Sequence, residues 1–275
     1  MKIRHAPLRH ALVVLLLCCS TFTAGVLHGQ EAASGERSTA SNDAYHTAGT
    51  SGEQRDVSLR RLPANFLNDQ KNLWLFPEKL AQGRYWLPTL AVVGVTAGLL
   101  AADPHDVSYF RTTTAFHGFN RVMNETATSL EIGLVPAAFY IIGRTTAHPY
   151  AEKTALFAGE AVADSVVVYG VINAVTRRLR PSDIPSPGPY SDTFFRNKSI
   201  VDNSFPSGHT ITAFAVATVI ARRYKAHRWV PWVAYGVAGA IGFSRVTSQA
   251  HFPADVFLGA ALGYSIARFN VLHGN

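Results

Sequence analysis

Six apolar stretches, separated by polar connections, organise the chain: Leu87 to Ala102, Leu130 to Gly143, Thr154 to Val175, Thr210 to Ala221, Trp229 to Phe243 and Ala254 to Ala267. None alternates with the two-residue period of a half-buried strand, and their lengths predict helices. Most are shorter than the roughly 20 residues that cross a bilayer unaided. Tyr85, Trp86, Tyr224, Trp229 and Trp232 flank them, however, and aromatic residues of this kind occupy membrane interfaces. The stretch from Trp229 to Phe243 has no polar face, and the Ala and Gly content suits close helix packing in lipid. The expectation is an all-α, membrane-embedded bundle of about six helices; the alternative is a soluble all-helical protein with fully apolar core helices.

The third stretch carries Glu160, Asp164 and Asn173. Such groups are costly in lipid and are expected to face the bundle interior. Upstream, Lys2, Arg4 and Arg9 precede the apolar run Ala11 to Cys19 and then small and polar residues. That layout predicts a signal peptide or N-terminal anchor over 1–30, with any cleavage between Ala24 and Ala33. Residues 31–60 are rich in Ser, Thr, Gly and charge without apolar periodicity and are expected to be a disordered linker, leaving 61–275 as the helical domain.

Composition narrows the partners. Of 275 residues, 48% are hydrophobic and only 16% charged, yet the mean hydropathy is a modest +0.09, so composition alone does not separate membrane from soluble. The net charge of +7 comes from bases scattered among loops, with no basic helix or aromatic platform, which argues against nucleic acid and for anionic lipid headgroups or phosphate esters. Both cysteines, Cys18 and Cys19, lie in the N-terminal segment, so its removal would leave neither a disulfide nor a thiolate metal site.

Three clusters at helix ends hold the residue types that phosphate chemistry requires. Arg177-Arg178-Leu179-Arg180-Pro181 follows the third stretch, where Pro181 stops the helix and leaves guanidinium groups at its end. Ser204-Phe205-Pro206-Ser207-Gly208-His209 opens the fourth, offering free backbone N–H groups and a hydroxyl at a helix N-terminus, with a titratable donor beside them. Finally Ser244-Arg245 is followed by His251 and Asp255, which lie one helical turn apart, so that the carboxylate could hold the imidazole in one tautomer. Each cluster alone has an ordinary structural explanation: a basic membrane flank, a serine cap, a structural His–Asp pair.

Together and in order, Arg180-Pro181, Pro206-Ser207-Gly208-His209, Ser244-Arg245, His251 and Asp255 resemble the signature of the type 2 phosphatidic acid phosphatases, shared with bacterial acid phosphatases and vanadium haloperoxidases. The resemblance covers roughly residues 155 to 268. It implies catalytic loops at helix ends, no cofactor or metal, and a phosphatase acting on a lipid phosphate. By the same resemblance, His251 attacks phosphorus and forms a phosphohistidine, Asp255 orients it, and His209 protonates the leaving group. Arg180, Arg245, Ser207 and Gly208 would then surround the phosphoryl oxygens. The family's first lysine is replaced by Asn173, which can donate to a phosphoryl oxygen but cannot balance its charge; Arg177, four residues on, is the expected substitute as a phosphate-binding cation. Alternative functions are a soluble periplasmic acid phosphatase acting on small esters, a haloperoxidase, and a non-catalytic anion-binding membrane protein.

Charge also predicts orientation. Arg222, Arg223, Lys225 and Arg228 crowd the loop after the fourth stretch, which places that loop in the cytoplasm and the phosphate-binding loops in the periplasm. Six spans after a cleaved signal would reverse this. The stretch from Leu130 to Gly143, interrupted by Pro136, is therefore expected to be re-entrant or interfacial.

Overall fold

The computed structural model describes residues 55–186 and 188–273, and the predicted signal segment and most of the predicted linker lie outside that range. The helical unit begins at Asp56. Val57 is buried in the core, so the last residues assigned to the 31–60 linker belong to the folded part.

All six apolar stretches are helical. Two short helices come first, α1 (Leu62–Trp74) and α2 (Phe76–Ala81). They are followed by α3 (Trp86–Thr112), a short α4 (His117–Val122) and α5 (Glu125–Thr145). Then come α6 (Pro149–Thr176), α7 (Gly208–Arg223), α8 (Val230–Thr247) and α9 (Pro253–Ser265), the last continuing as a π-helical segment, Ile266–Val271. The described residues contain no strand, and the fold is an all-α helical bundle.

Three segments are long and apolar enough to cross a membrane: Trp86–Thr112, Glu125–Thr145 and Pro149–Asp183. The outer face of α3 carries Leu87 at 64% exposure and Val93 at 57%, an apolar surface of the kind that water penalises and hydrocarbon would cover. Pro136 does not divide α5, which runs unbroken for 21 residues. The segment therefore does not turn back on itself at Pro136, because a proline inside a membrane helix can be tolerated when neighbouring helices take up the freed backbone groups.

Helix α7 is the centre of the bundle, packed by α5, α6, α8 and α9. Its side chains are buried almost all round, as in Ile211, Ala215 and Val219, which meet Phe157 and Ala161 of α6 and Ile266 and Val271 beyond α9. The approach of α9 to α7 depends on two glycines. A Cβ on Gly263 would lie 2.1 Å from the Ile211 carbonyl oxygen, and one on Gly259 would lie 2.9 Å from that of Ser207. This contact brings the turn entering α9, with His251, beside the turn entering α7, with Ser207.

On α6, Glu160, Asp164 and Asn173 all face inward, as expected of polar groups in lipid. Asp164 accepts a 2.8 Å hydrogen bond from Gln70 Nε2, which ties α1 to α6.

Candidate active site

Three chain segments meet at one end of the bundle: the exit of α6, the entrance of α7, and the turn between α8 and α9. Backbone hydrogen bonds hold them together. Ser204 N–H donates to the Arg178 carbonyl at 2.8 Å, Ser207 N–H to that of Asp255 at 3.0 Å, and His251 N–H to that of Arg245 at 3.1 Å. The residues of the three clusters are thus assembled by main-chain bonds between helix ends.

His251 is buried, and its Nδ1 lies 2.6 Å from the backbone oxygen of Ser204. A carbonyl only accepts, so Nδ1 carries the hydrogen and Nε2 presents a lone pair. Burial, reinforced by the Arg180 cation, pushes this imidazole down to about 3, only partly offset by the Ser204 bond. His251 is therefore neutral throughout the physiological range, as an attacking nitrogen must be. Arg180, His209 and Arg245 all act on it electrostatically, which places the predicted phosphate-binding and catalytic groups around one centre.

The expected orienting contact is corrected. Asp255 Oδ2 is 3.9 Å from His251 Nδ1, too long for a hydrogen bond. Instead Asp255 accepts from the Ser204 hydroxyl and from Phe252 N–H, capping the start of α9. It steadies the histidine at one remove, by fixing the residue whose carbonyl holds the ring.

The other oxygen of Asp255 is paired with Arg178, one of the largest fully buried side chains. Arg178 also bonds Asp103 of α3 at 2.7 Å, and its guanidinium carbon lies 3.9 Å from the Phe252 ring centroid and 4.8 Å from that of Phe194. Asp103 in turn accepts from Ala254 N–H at 3.2 Å. A single cation thus bridges two buried carboxylates and sits between two rings. The sequence reading counted Arg178 only among the guanidinium groups at the end of the third stretch and gave no role to Asp103 or the Ser204 carbonyl; an acid just past the end of an apolar stretch was the available signal for Asp103.

Two further expectations change. Asn173 Nδ2 donates to the carbonyls of Asn203 (2.8 Å) and Phe205 (3.4 Å), while its Oδ1 accepts from Asn203 N–H at 3.1 Å. The Asn173 amide therefore clamps the loop entering α7, and its donors are already engaged, so it does not face a phosphoryl oxygen. Arg177 caps α6 in a left-handed conformation (φ 41°), so the helical phase that was to carry it to the lysine's place ends there. The next residue, Arg178, turns inward instead.

Of the remaining predicted residues, Arg180 pairs with exposed Asp202, yet its buried Nε has no hydrogen-bond partner among the described residues. A buried, unsatisfied guanidinium N–H is a donor available to an incoming anion. Arg245 is buried, bonded to the Met123 carbonyl and, through Nε, to the Ser244 hydroxyl at 3.1 Å. The Ser207 hydroxyl caps α7, accepting from Thr210 N–H at 3.4 Å and lying 2.8 Å from Thr210 Oγ1. Gly208 and His209 open that helix, where backbone N–H groups lack intrahelical acceptors. A Cβ on Gly208 would be 3.1 Å from the Tyr169 ring, so the ring packs closely on the first turn of this helix. His209 Nε2 lies 2.9 Å from the Ser129 hydroxyl of α5. Among the described residues no group of three or more His, Cys, Asp and Glu is arranged to hold a metal.

Residues 154–273 match the family model described as the PAP2 superfamily. Lipid A 1-phosphatase of Porphyromonas gingivalis is 42% identical over 77 residues, covering 28% of this chain and 17% of that protein. The bacitracin transport permease protein BcrC of Bacillus licheniformis is 42% identical over 69 residues, covering 25% and 32%. Lipid A 1-phosphatase of Rhizobium etli is 30% identical over 114 residues, covering 42% and 44%. The chain thus spans less than half the length of each of these relatives. A crystal structure of a transmembrane PAP2-type phosphatidylglycerolphosphate phosphatase from Bacillus subtilis superposes with a TM-score of 0.45 at 20% identity, over 66% of this chain and 92% of that one.

Proposed function

Because the chain belongs to the PAP2 superfamily through residues 154–273, we propose that it is a metal-independent membrane phosphatase that removes phosphate from a lipid monoester or diphosphate. The observation that carries this reading is the state of His251: neutral, locked through Nδ1 to the Ser204 carbonyl, and surrounded by two arginines and a second histidine.

In this mechanism Nε2 of His251 attacks phosphorus as the bond to the leaving oxygen breaks. His209 delivers its proton to that oxygen, so the lipid leaves as an alcohol or, from a diphosphate, as the monophosphate. Deprotonated His209 then takes a proton from water, whose oxygen attacks the phosphohistidine and releases inorganic phosphate. Arg180, Arg245, the first-turn amides of Gly208 and His209 and the Ser207 hydroxyl stabilise the equatorial oxygens. Binding of phosphate displaces Asp202 from Arg180, exchanging an exposed ion pair for a buried one. Asn173 and Arg177 serve the loop and the helix end in this account, leaving Arg180 and Arg245 as the two cations on the phosphoryl group.

Lipid A 1-phosphate is the first substrate to test, because two relatives bear that activity in their names. The experiment is phosphate release by detergent-purified protein, with EDTA present, from lipid A, phosphatidylglycerophosphate, a polyprenyl diphosphate and phosphatidate. Release from at least one is expected. Hydrolysis of small water-soluble esters alone would favour the acid-phosphatase reading, and release from none would overturn the proposal.

The site faces the periplasm in this reading. Arg222, Arg223, Lys225 and Arg228 gather at the far end of α7 from the catalytic turns, where cytoplasmic lipid favours positive charge. With Ser191→Cys introduced in the loop after α6, a membrane-impermeant thiol reagent is expected to label intact spheroplasts. Labelling only after lysis would reverse the orientation.

A further inference from the structure

The catalytic turns come from residues 154–273, but one wall of the site is built from α4 and α5, which lie outside that region. Met123 contacts Arg245 through its carbonyl, Asn120 Oδ1 accepts from the Thr247 hydroxyl at 2.6 Å, and Ser129 reaches His209. Two atoms of α5 converge on the same ring nitrogen: the Ser129 hydroxyl lies 2.9 Å from His209 Nε2 and the Glu125 backbone carbonyl 3.4 Å from it. A carbonyl cannot donate, so both contacts are attractive together only when Nε2 carries a hydrogen and the hydroxyl accepts from it.

We propose that Ser129 is a positioning residue for the general acid, its hydroxyl holding the His209 imidazole with Nε2 protonated and aimed at the mouth of the site. The inference rests on the phosphatase reading, in which His209 must arrive at each turnover carrying a proton. The charged and titratable groups facing His209 are Arg245 of α8 and Arg180 of the loop after α6, which both oppose a second cation, the Glu125 carboxylate of α5, which favours it, and the neutral His251. Burial, and then the two fixed guanidiniums, favour the deprotonated form of the imidazole, and hydrogen bonds accepted from Nε2–H counter that tendency. Ser129 is exposed and His209 half-buried, so the pair lies where a leaving group exits. When substrate enters, the hydrogen bond donated by Nε2–H passes from the serine hydroxyl to the leaving oxygen, a like-for-like exchange of acceptors.

The test is titration of His209 by NMR in protein carrying 13C-labelled histidine, the signal assigned with His209→Gln, alongside the pH profile of kcat. Loss of the acceptor destabilises the protonated ring. Ser129→Ala is therefore expected to move the His209 midpoint, and with it the alkaline limb of kcat, to lower pH by about half to one unit. Ser129→Thr, which keeps the hydroxyl, is expected to restore both. An unchanged His209 midpoint in Ser129→Ala would overturn the proposal. If the midpoint shifts but the wild-type protein releases no phosphate from any lipid tested, the hydrogen bond stands while the phosphatase reading, and the role derived from it, fall.

Discussion

Replacement of His251 by alanine is expected to lower phosphate release by on the order of 10⁴-fold or more, because in the proposed mechanism it removes the covalent route and leaves only water as nucleophile. Trapping of a phosphorylated protein after rapid acid quench should disappear with it. The cost to the fold is smaller: the buried Ser204 carbonyl loses its partner, worth about 1–3 kcal/mol. The variant should therefore keep its helical circular dichroism, and wild-type-like hydrolysis by a folded His251→Ala protein would sink the mechanism. It should also differ in acid. The His251 imidazole is held at about 3 in the folded protein, against an ordinary value of about 6.5. Between these limits the unfolded chain binds a proton that the folded one excludes, so stability is full above the upper limit and falls as pH drops through the window. Thermal melts of His251→Ala should consequently be less sensitive to acid than those of the wild type.

Arg178→Leu is expected to destabilise the protein by about 3–5 kcal/mol, the usual cost of removing one member of a buried ion network and leaving the rest uncompensated. Here the remnant would be two carboxylates, Asp103 and Asp255, both fully buried and both deprived of their cation. Activity should fall with stability, since Asp255 fixes the Ser204 hydroxyl and the first turn of α9, and through them the tautomer of His251. A double-mutant cycle separates this from simple loss of packing: Asp103→Asn removes one of the stranded charges and should recover part of the stability lost in Arg178→Leu. Denaturant or thermal unfolding in detergent measures both. If Arg178→Leu proved as stable and active as the wild type, the triad would have no part in holding the catalytic turns.

The likeness to the PAP2 superfamily could be recognised because its residues occupy fixed positions within single turns. Ser207 caps a helix that Gly208 opens, Arg245 lies in the last turn of another, and Asp255 in the first turn of a third, so local chain geometry already places each at a helix terminus. The same locality explains the errors. Asp255 stands one turn from His251 in sequence, which suggested a direct bond, but the turn before Pro253 carries the imidazole away, to 3.9 Å from the carboxylate, and toward Ser204. Arg177 stands one turn from Asn173, but its left-handed backbone ends the helical register on which that argument depended. Asn173, counted as a lost positive charge, turned out to clamp a loop contributed by residues about thirty positions later.

What the sequence determined by itself was the set of apolar helices and the chemical identity of the groups at their ends, since periodicity, proline stops and cap residues act within a few residues of one another. Only the tertiary structure decided which group holds which. Asp103 meets Arg178, Ser129 meets His209 and Met123 meets Arg245 across gaps in the chain that carry no local signal. Those meetings follow from the close approach of α9 to α7 at Gly259 and Gly263 and from the packing of α3 and α5 against that pair. In a buried site each donor and acceptor must find a partner, and its partner is whatever the packed helices bring within about 3 Å, however far away it lies along the chain.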